Sequence, residues 1–148
     1  MNQLITLYID GASRGNPGNA SVGCVIKQGD TVLQEHGYYL GTKTNNQAEY
    51  MALLIGVFLS LPYLTPDTEL LIISDSELLV KQIMGHYRVK DPVLQQLFSR
   101  AQALLRPFKH RINHVLRAHN THADKMANKA LDEKISLPAP LQHLIDHV

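Results

Sequence analysis

Two short, mainly apolar runs, each followed at once by an aspartate, constrain the fold of this chain more than any other feature. Residues 4–9 precede Asp10, and residues 69–74 precede Asp75. Apolar side chains at successive positions are typical of strands that are buried on both faces. Residues 45–61, between the two runs, carry apolar side chains at helical spacing. The sequence therefore predicts an α/β fold, in which functional groups gather at the carboxyl ends of the strands.

The rest of the chain alternates between strand and helix patterns. The further predicted elements are strands at 21–27 and 31–40 joined as a hairpin, helices at 76–84 and 92–105, a strand at 110–117 and a helix at 121–134. This order predicts a mixed sheet, in which a three-stranded meander is extended by crossover connections and covered by helices. Prolines break the chain after the last helix, and we expect residues 141–148 to dock as a short apolar segment.

Composition indicates an ordinary globular domain. The chain has 148 residues, of which 45% are hydrophobic and 18% charged, with a net charge of +1. No apolar stretch approaches the roughly 18 residues that span a membrane, and no leader pattern is present, so we expect a cytoplasmic protein. A single Cys24 excludes an internal disulfide and is expected in the core.

Basic residues concentrate in the last third of the chain. They include Arg100, Arg106, Lys109, Arg111, Arg117, Lys125 and Lys129. Two interpretations stay open: a basic face that follows nucleic-acid phosphates, or a solvated helix surface with scattered charges.

Four carboxylates lie at the edges of predicted elements. Asp10 and Asp75 follow strands, whereas Glu49 and Asp124 are expected in the first turns of two amphipathic helices. Four acids that meet at one site cannot all stay ionised without a counter-charge, which hard divalent cations supply through oxygen ligands. The pattern predicts a metal-dependent enzyme.

Each acid also has a purely structural explanation. Asp10 suits a turn that begins at Gly11, and Asp75 suits the cap of the following helix. Glu49 and Asp124 each stand three residues after a residue that can begin a helix capping pair. The conjunction of all four is what favours a functional site.

The segments around these acids resemble the signature blocks of type 1 ribonucleases H. The segments are residues 10–18, 44–49, 74–76 and 120–128. They occur in the family's order, and the resemblance covers residues 4–133. It implies the RNase H-like α/β fold, a five-stranded mixed sheet flanked by helices. It further implies a monomer with a catalytic domain at 1–135 and a C-terminal tail at 136–148.

The activity implied by the resemblance is endonucleolytic cleavage of the RNA strand of an RNA–DNA hybrid, which leaves 5′-phosphate and 3′-hydroxyl ends. Two Mg²⁺ ions, with Mn²⁺ as a substitute, would lie roughly 3.5–4 Å apart at the scissile phosphate. Asp10 would bridge both ions. Glu49 and Asp75 would complete one ion's site and Asp124 the other's.

Substrate choice would depend on amides that sense the 2′-hydroxyl, the group that distinguishes RNA from DNA. By resemblance, Asn16, Asn45, Asn46 and Gln47 would line the minor groove, while Thr44 and Asn16 would hold a phosphate of the DNA strand. The same residue types also form ordinary turns and helix caps, and that interpretation stays open.

The chain departs from the family pattern at two places. Many relatives carry a basic protrusion rich in Lys and Trp, but residues 85–92 are short here and the chain has no Trp. Tyr87, Arg88 and Lys90 are the nearest substitutes, so we expect weaker, more salt-sensitive hybrid binding, and double-stranded RNA stays open as a substrate. The loop before Asp124 is also short. His119 or His122 in it would assist proton transfer, or both are exposed residues without a chemical role.

Three rival functions remain at this point. The first is a catalytically silent module that binds hybrids, and the second is half of an actin-like ATPase, which would lack its other lobe. The third is the same fold acting on another polynucleotide.

Overall fold

The core of the molecule is a five-stranded sheet in the order β3-β2-β1-β4-β5. The computed structural model describes residues 3–148. The strands are β1 Gln3–Gly15, β2 Gly18–Gln28, β3 Thr31–Lys43, β4 Thr68–Ser74 and β5 Lys109–His114. The first three pair antiparallel, whereas β4 runs parallel to β1 and β5 runs parallel to β4. The predicted mixed α/β sheet is confirmed.

Helices cover both faces of the sheet. They are α1 Asn45–Ser60, α2 Glu77–Ile83, α3 Pro92–Leu105, α4 Thr121–Glu133 and α5 Ala139–Gln142, with 3-10 turns at Leu61–Tyr63 and Arg117–His119. α1 packs on the face that carries Leu7 and Ile9, and α3 packs against α1. α4 packs on the opposite face, against β2 and β3. None of the helices in residues 3–148 is long and apolar enough to cross a membrane.

α4 lies unusually close to the sheet because glycines face it. A Cβ atom on Gly23 would lie 2.1 Å from the carbonyl oxygen of Ala123, and one on Gly37 would lie 2.3 Å from that of Met126. The helix presents small buried residues, including Ala123 and Ala127, to the same surface. Any side chain on either glycine would push α4 away from the sheet, together with the residues at its first turn.

The segment that follows Asp10 is strand rather than the predicted Gly-rich turn. β1 continues to Gly15, and its ladder with β2 includes the pairs Asp10 with Gly23 and Arg14 with Asn19. β4 ends earlier, at the pair of Ile9 with Ser74. Asp10 therefore lies inside a strand, at the level where the neighbouring parallel strand stops. The end of the apolar run is the point at which β4 stops pairing with β1. Beyond that point β1 continues as a strand because it still pairs with β2.

Four details of the predicted elements and of the alternative capping explanations were wrong. Thr44 caps α1 through a reciprocal pair of hydrogen bonds with Gln47, which places Glu49 just beyond the first turn and not in a capping pair. Ser76, not Asp75, is the cap of α2. No side chain caps α4. The last strand ends at residue 114 instead of 117, because the chain turns there into Arg117–His119.

The C-terminal segment packs into the main core, as expected from its apolar residues. Leu141 and Ile145 are buried with the side chains of α1 and α3. The Arg100 guanidinium on α3 donates to the carbonyl oxygens of Leu144 at 3.1 Å and His147 at 3.4 Å. Cys24 is likewise buried in the core, as predicted.

Candidate active site

Three carboxylates converge where β1, α1 and β4 meet. Asp10, Glu49 and Asp75 each offer an oxygen atom, and these atoms lie within 4.8 Å of one another. Asp10 and Asp75 become neighbours because each follows one member of the pair Ile9 and Ser74 on adjacent parallel strands.

Glu49 reaches the other two acids because α1 touches β1 at Gly11. A Cβ atom there would lie 2.4 Å from the carbonyl carbon of Ala48, so only glycine permits this approach. The Gly11 N–H then donates to Oε1 of Glu49. A backbone donor from the strand thus orients a carboxylate carried by the helix.

Asp124 lines the same cavity from α4. Asn128, one turn later, donates from Nδ2 to the carbonyl oxygen of Asp124 at 3.0 Å and to its Oδ1 at 3.2 Å. The Arg117 guanidinium also donates to that Oδ1, at 3.3 Å. The structure therefore assembles all four predicted acids in one place, three as a tight group and the fourth beside them.

Burial and mutual repulsion make this group a strong cation site. Burial, followed by the charges of Glu49 and Asp75, raises the pKa of Asp10 from its ordinary 3.8 to about 9. Burial also raises the pKa of Glu49, to about 8, against the opposing effect of the Gly11 N–H. Burial raises the pKa of Asp75 as well, and the nearby Arg117 opposes this rise.

These oxygens suit a hard divalent cation. Carboxylates that keep protons at neutral pH lose them when a cation supplies the missing positive charge. The donors are all oxygen, which favours Mg²⁺ or Mn²⁺ over the softer metals. The cavity has a volume of about 600 Å³ and opens to the surface between Arg14, Asn45, Asn46 and Asn128.

A family model described as RNase H matches residues 2–136 of the chain. The chain belongs to the RNase H family. Ribonuclease HI of Halobacterium salinarum is 45% identical to it over 128 residues, which make up 85% of this chain and 63% of that protein. A bifunctional protein of Mycobacterium tuberculosis is 44% identical over 132 residues, 86% of this chain and 35% of that protein. This RNase H therefore spans less than two thirds of the length of either relative.

Solved structures place it with type 1 members of the family. The crystal structure of RNase H1 from Halobacterium salinarum superposes with a TM-score of 0.83 at 42% identity, and covers 88% of this chain and 98% of that one. LC11-RNase H1, solved in complex with an RNA/DNA hybrid, superposes with a TM-score of 0.82 at 36% identity, and covers 87% and 97%. The predicted family and its five-stranded fold are both confirmed.

The predicted substrate residues of this RNase H divide into two groups. Asn45 and Asn46 line the cavity. Thr44 and Gln47 bond to each other's backbone N–H groups and so build the start of α1. Asn16 accepts a hydrogen bond at 3.1 Å from the Asn45 N–H, which ties the β1–β2 turn to that helix. Three of the five thus shape the rim that presents the other two.

Neither predicted auxiliary histidine lines the cavity. His119 is exposed in the 3-10 turn before α4. Nε2 of His122 lies 2.7 Å from Oε2 of Glu35, on the side of α4 that faces β3. The fold thus holds His122 in a surface pair away from the carboxylates.

Several of the basic residues in the last third of the chain make contacts within the fold. Lys109 and Arg111 pair with Glu69 at 3.8 and 3.0 Å, and Arg100 bonds the C-terminal segment. Of the named cations, Arg117 is the one that lines the carboxylate cavity. These basic side chains are therefore engaged at separate places in the fold.

Sequence reasoning assigned no role in the site to Arg117, Asn120 or Asn128. Asn128 had a usable signal, because it stands four residues after Asp124 and therefore on the same side of the helix. Arg117 and Asn120 lie in a short irregular segment, where no periodicity predicts the direction of a side chain.

Proposed function

We propose that this RNase H hydrolyses the RNA strand of RNA–DNA hybrids and leaves 5′-phosphate and 3′-hydroxyl ends. The observation that carries the proposal is the convergence of Asp10, Glu49 and Asp75 within 4.8 Å, with Asp124 in the same cavity. Membership of the RNase H family supports it, as does the hybrid complex of the similar LC11-RNase H1.

The four carboxylates would hold two divalent cations, Mg²⁺ with Mn²⁺ as a substitute. When bound, such ions activate the attacking water and stabilise the leaving 3′ oxygen. Asp10 is central in the cluster and suits the bridging position between them. The Gly11 N–H fixes the direction of Glu49, and Asn128 does the same for Asp124. Carboxylates oriented in advance need little rearrangement when the charged substrate arrives.

Recognition of RNA falls to the rim of the cavity. Asn45 and Asn46 open α1 beside the acids, and their amides both donate to and accept from a hydroxyl group. The positive end of the α1 helix dipole also favours a backbone phosphate at this position. The side chain of Arg117 adds positive charge on the opposite side of the cavity.

The DNA strand would be held with few contacts. Residues 84–91 between α2 and α3 carry exposed Tyr87, Arg88 and Lys90, and the ammonium of Lys81 lies 5.3 Å from the centre of the Tyr87 ring. This surface is small, so hybrid affinity should be low, and the binding that remains should depend on salt because Arg88 and Lys90 contact phosphates. If binding depends only weakly on contacts with the DNA strand, double-stranded RNA is a second candidate substrate.

The decisive experiment is strand-resolved cleavage of an end-labelled hybrid, with double-stranded RNA and duplex DNA alongside. Wild type, Asp75→Asn and the control Asp67→Asn, an exposed acid at the other end of β4, would be compared in Mg²⁺, Mn²⁺ and EDTA. We expect metal-dependent cuts in the RNA strand only, lost in Asp75→Asn and kept in the control. Binding of hybrid without cleavage in either metal would instead favour a silent binding module.

A further inference from the structure

Asn120 is a buried amide at the junction between β1 and α4. It is 1% exposed, and its Nδ2 donates to the carbonyl oxygen of Ile9 at 2.8 Å. It occupies the capping position of α4 yet makes no side-chain capping bond. Its Oδ1 is the one buried side-chain polar atom in residues 3–148 without a hydrogen-bond partner.

This arrangement is unfavourable for the helix alone. Asparagine is a preferred capping residue because its oxygen accepts an N–H from the first turn. Here that oxygen is buried without a donor, which is destabilising. The side chain is instead turned so that its NH₂ group reaches the sheet. The contact with Ile9 is therefore the feature that accounts for the conformation of Asn120.

The two ends of this hydrogen bond stand next to two carboxylates. Ile9 directly precedes Asp10 in β1. The carbonyl oxygen of Asn120 accepts the N–H of Asp124 at 3.2 Å, as the first turn of α4. One buried bond thus links the backbone that carries Asp10 to the turn that carries Asp124, across 111 residues of sequence.

We propose that Asn120 is a positioning residue, which sets the distance of Asp124 from Asp10 so that the four carboxylates bind cations as one set. The inference rests on the proposed function and assigns Asn120 no contact with the reacting atoms. Asn128 cannot perform this task, because it bonds to Asp124 within the same helix. Partners that orient metal ligands typically change metal affinity or activity by about 10–100-fold when they are removed.

A matched control exists on the same helix. Ser21 in β2 is fully buried, and its Oγ donates to the carbonyl oxygen of Ala127 at 2.6 Å. Like Asn120, it joins α4 to the sheet through one side-chain bond to a backbone carbonyl. Its bond, however, lies nearly a turn beyond Asp124 on the helix. Ser21→Ala and Asn120→Ala therefore each remove one such bond, and only the second bond is at the carboxylates.

The test measures Mn²⁺ binding by titration calorimetry and hybrid cleavage as a function of Mn²⁺ concentration. We expect Asn120→Ala to raise both the dissociation constant and the half-saturating concentration about tenfold or more, and Ser21→Ala to change either less than about twofold. Asn120→Ser provides a second variant, because serine is a good cap but its hydroxyl is too short to reach Ile9. It should fold well and still show the weakened binding.

The outcomes separate this inference from the proposed function. Equal Mn²⁺ affinities for wild type and Asn120→Ser, or equal losses in Asn120→Ala and Ser21→Ala, would reduce Asn120 to a structural anchor and overturn the proposal. If the wild type binds Mn²⁺ without cutting hybrids, the proposed function fails, and the calorimetric comparison still decides the role of Asn120.

Discussion

Replacing Asp10 by asparagine should stabilise the metal-free protein while it abolishes cleavage. Burial and the neighbouring acids raise the pKa of Asp10 from 3.8 to about 9, so at pH 7 folding requires this carboxyl to take up a proton. About three pKa units separate pH 7 from the ordinary value, and each is worth 1.36 kcal/mol, which makes about 4 kcal/mol. Asparagine has nearly the same shape and carries no charge. Because Asp10 titrates together with Glu49 and Asp75, only part of this cost belongs to Asp10 alone. We therefore expect Asp10→Asn to raise the free energy of unfolding by about 2–4 kcal/mol.

The effect has a defined pH dependence. Asp10 and Glu49 both have raised pKa values, about 9 and about 8, so the folded protein binds more protons than the unfolded chain between about pH 4 and pH 9. The stability of the metal-free wild type must therefore fall as the pH rises through this window. Asp10→Asn removes one of the two groups, so its stability advantage over the wild type should be small near pH 4 and should grow up to about pH 9.

The assay is urea unfolding in EDTA at pH 4.5 and 8, followed by circular dichroism. Asp132→Asn serves as the control, since its carboxylate is exposed and pairs only with Arg14 at the surface. An Asp10→Asn protein that is no more stable than this control at pH 8 would refute the reasoning. Saturating Mg²⁺ should narrow the difference, because only the wild type retains the complete set of cation ligands.

Three further predictions concern other parts of the molecule. Glu49→Gln keeps an oxygen that accepts from the Gly11 N–H but loses the charged metal ligand. The cleavage rate should fall by about a hundredfold or more with an unchanged circular dichroism spectrum, and near-normal turnover would exclude Glu49 as a ligand. Leu141→Ala and Ile145→Ala should each lower the free energy of unfolding by about 2–5 kcal/mol in urea titrations, and unchanged midpoints would show that the C-terminal segment does not stabilise the fold. Arg117→Ala should weaken hybrid binding and reduce the slope of log affinity against log salt by about one, and an identical slope would mean that Arg117 meets no phosphate.

Local patterns in the sequence were sufficient for the element order and for the four acids. Strand and helix periodicities arise from neighbouring residues, so residues 69–74 and 121–134 could be assigned without knowledge of their partners. The same patterns failed at the end of β1, where Ala12, Ser13 and Arg14 have no strand signal of their own. These residues are extended because β2 continues the ladder beside them. The alternative explanation of the acids as helix caps failed for a related reason, since several adjacent polar residues compete for one capping position.

The sequence by itself identified a set of four acids whose oxygen atoms suit a divalent cation, and it predicted that they meet at one site. Only the tertiary structure decided how those groups behave. The high pKa values of Asp10 and Glu49 come from burial and from the charges of neighbouring acids, neither of which is a local property. The bond from Asn120 to Ile9 joins positions 111 residues apart and has no signature in either segment. Spacing along a chain reports local conformation, whereas electrostatic coupling depends on distances that exist only after the chain has folded.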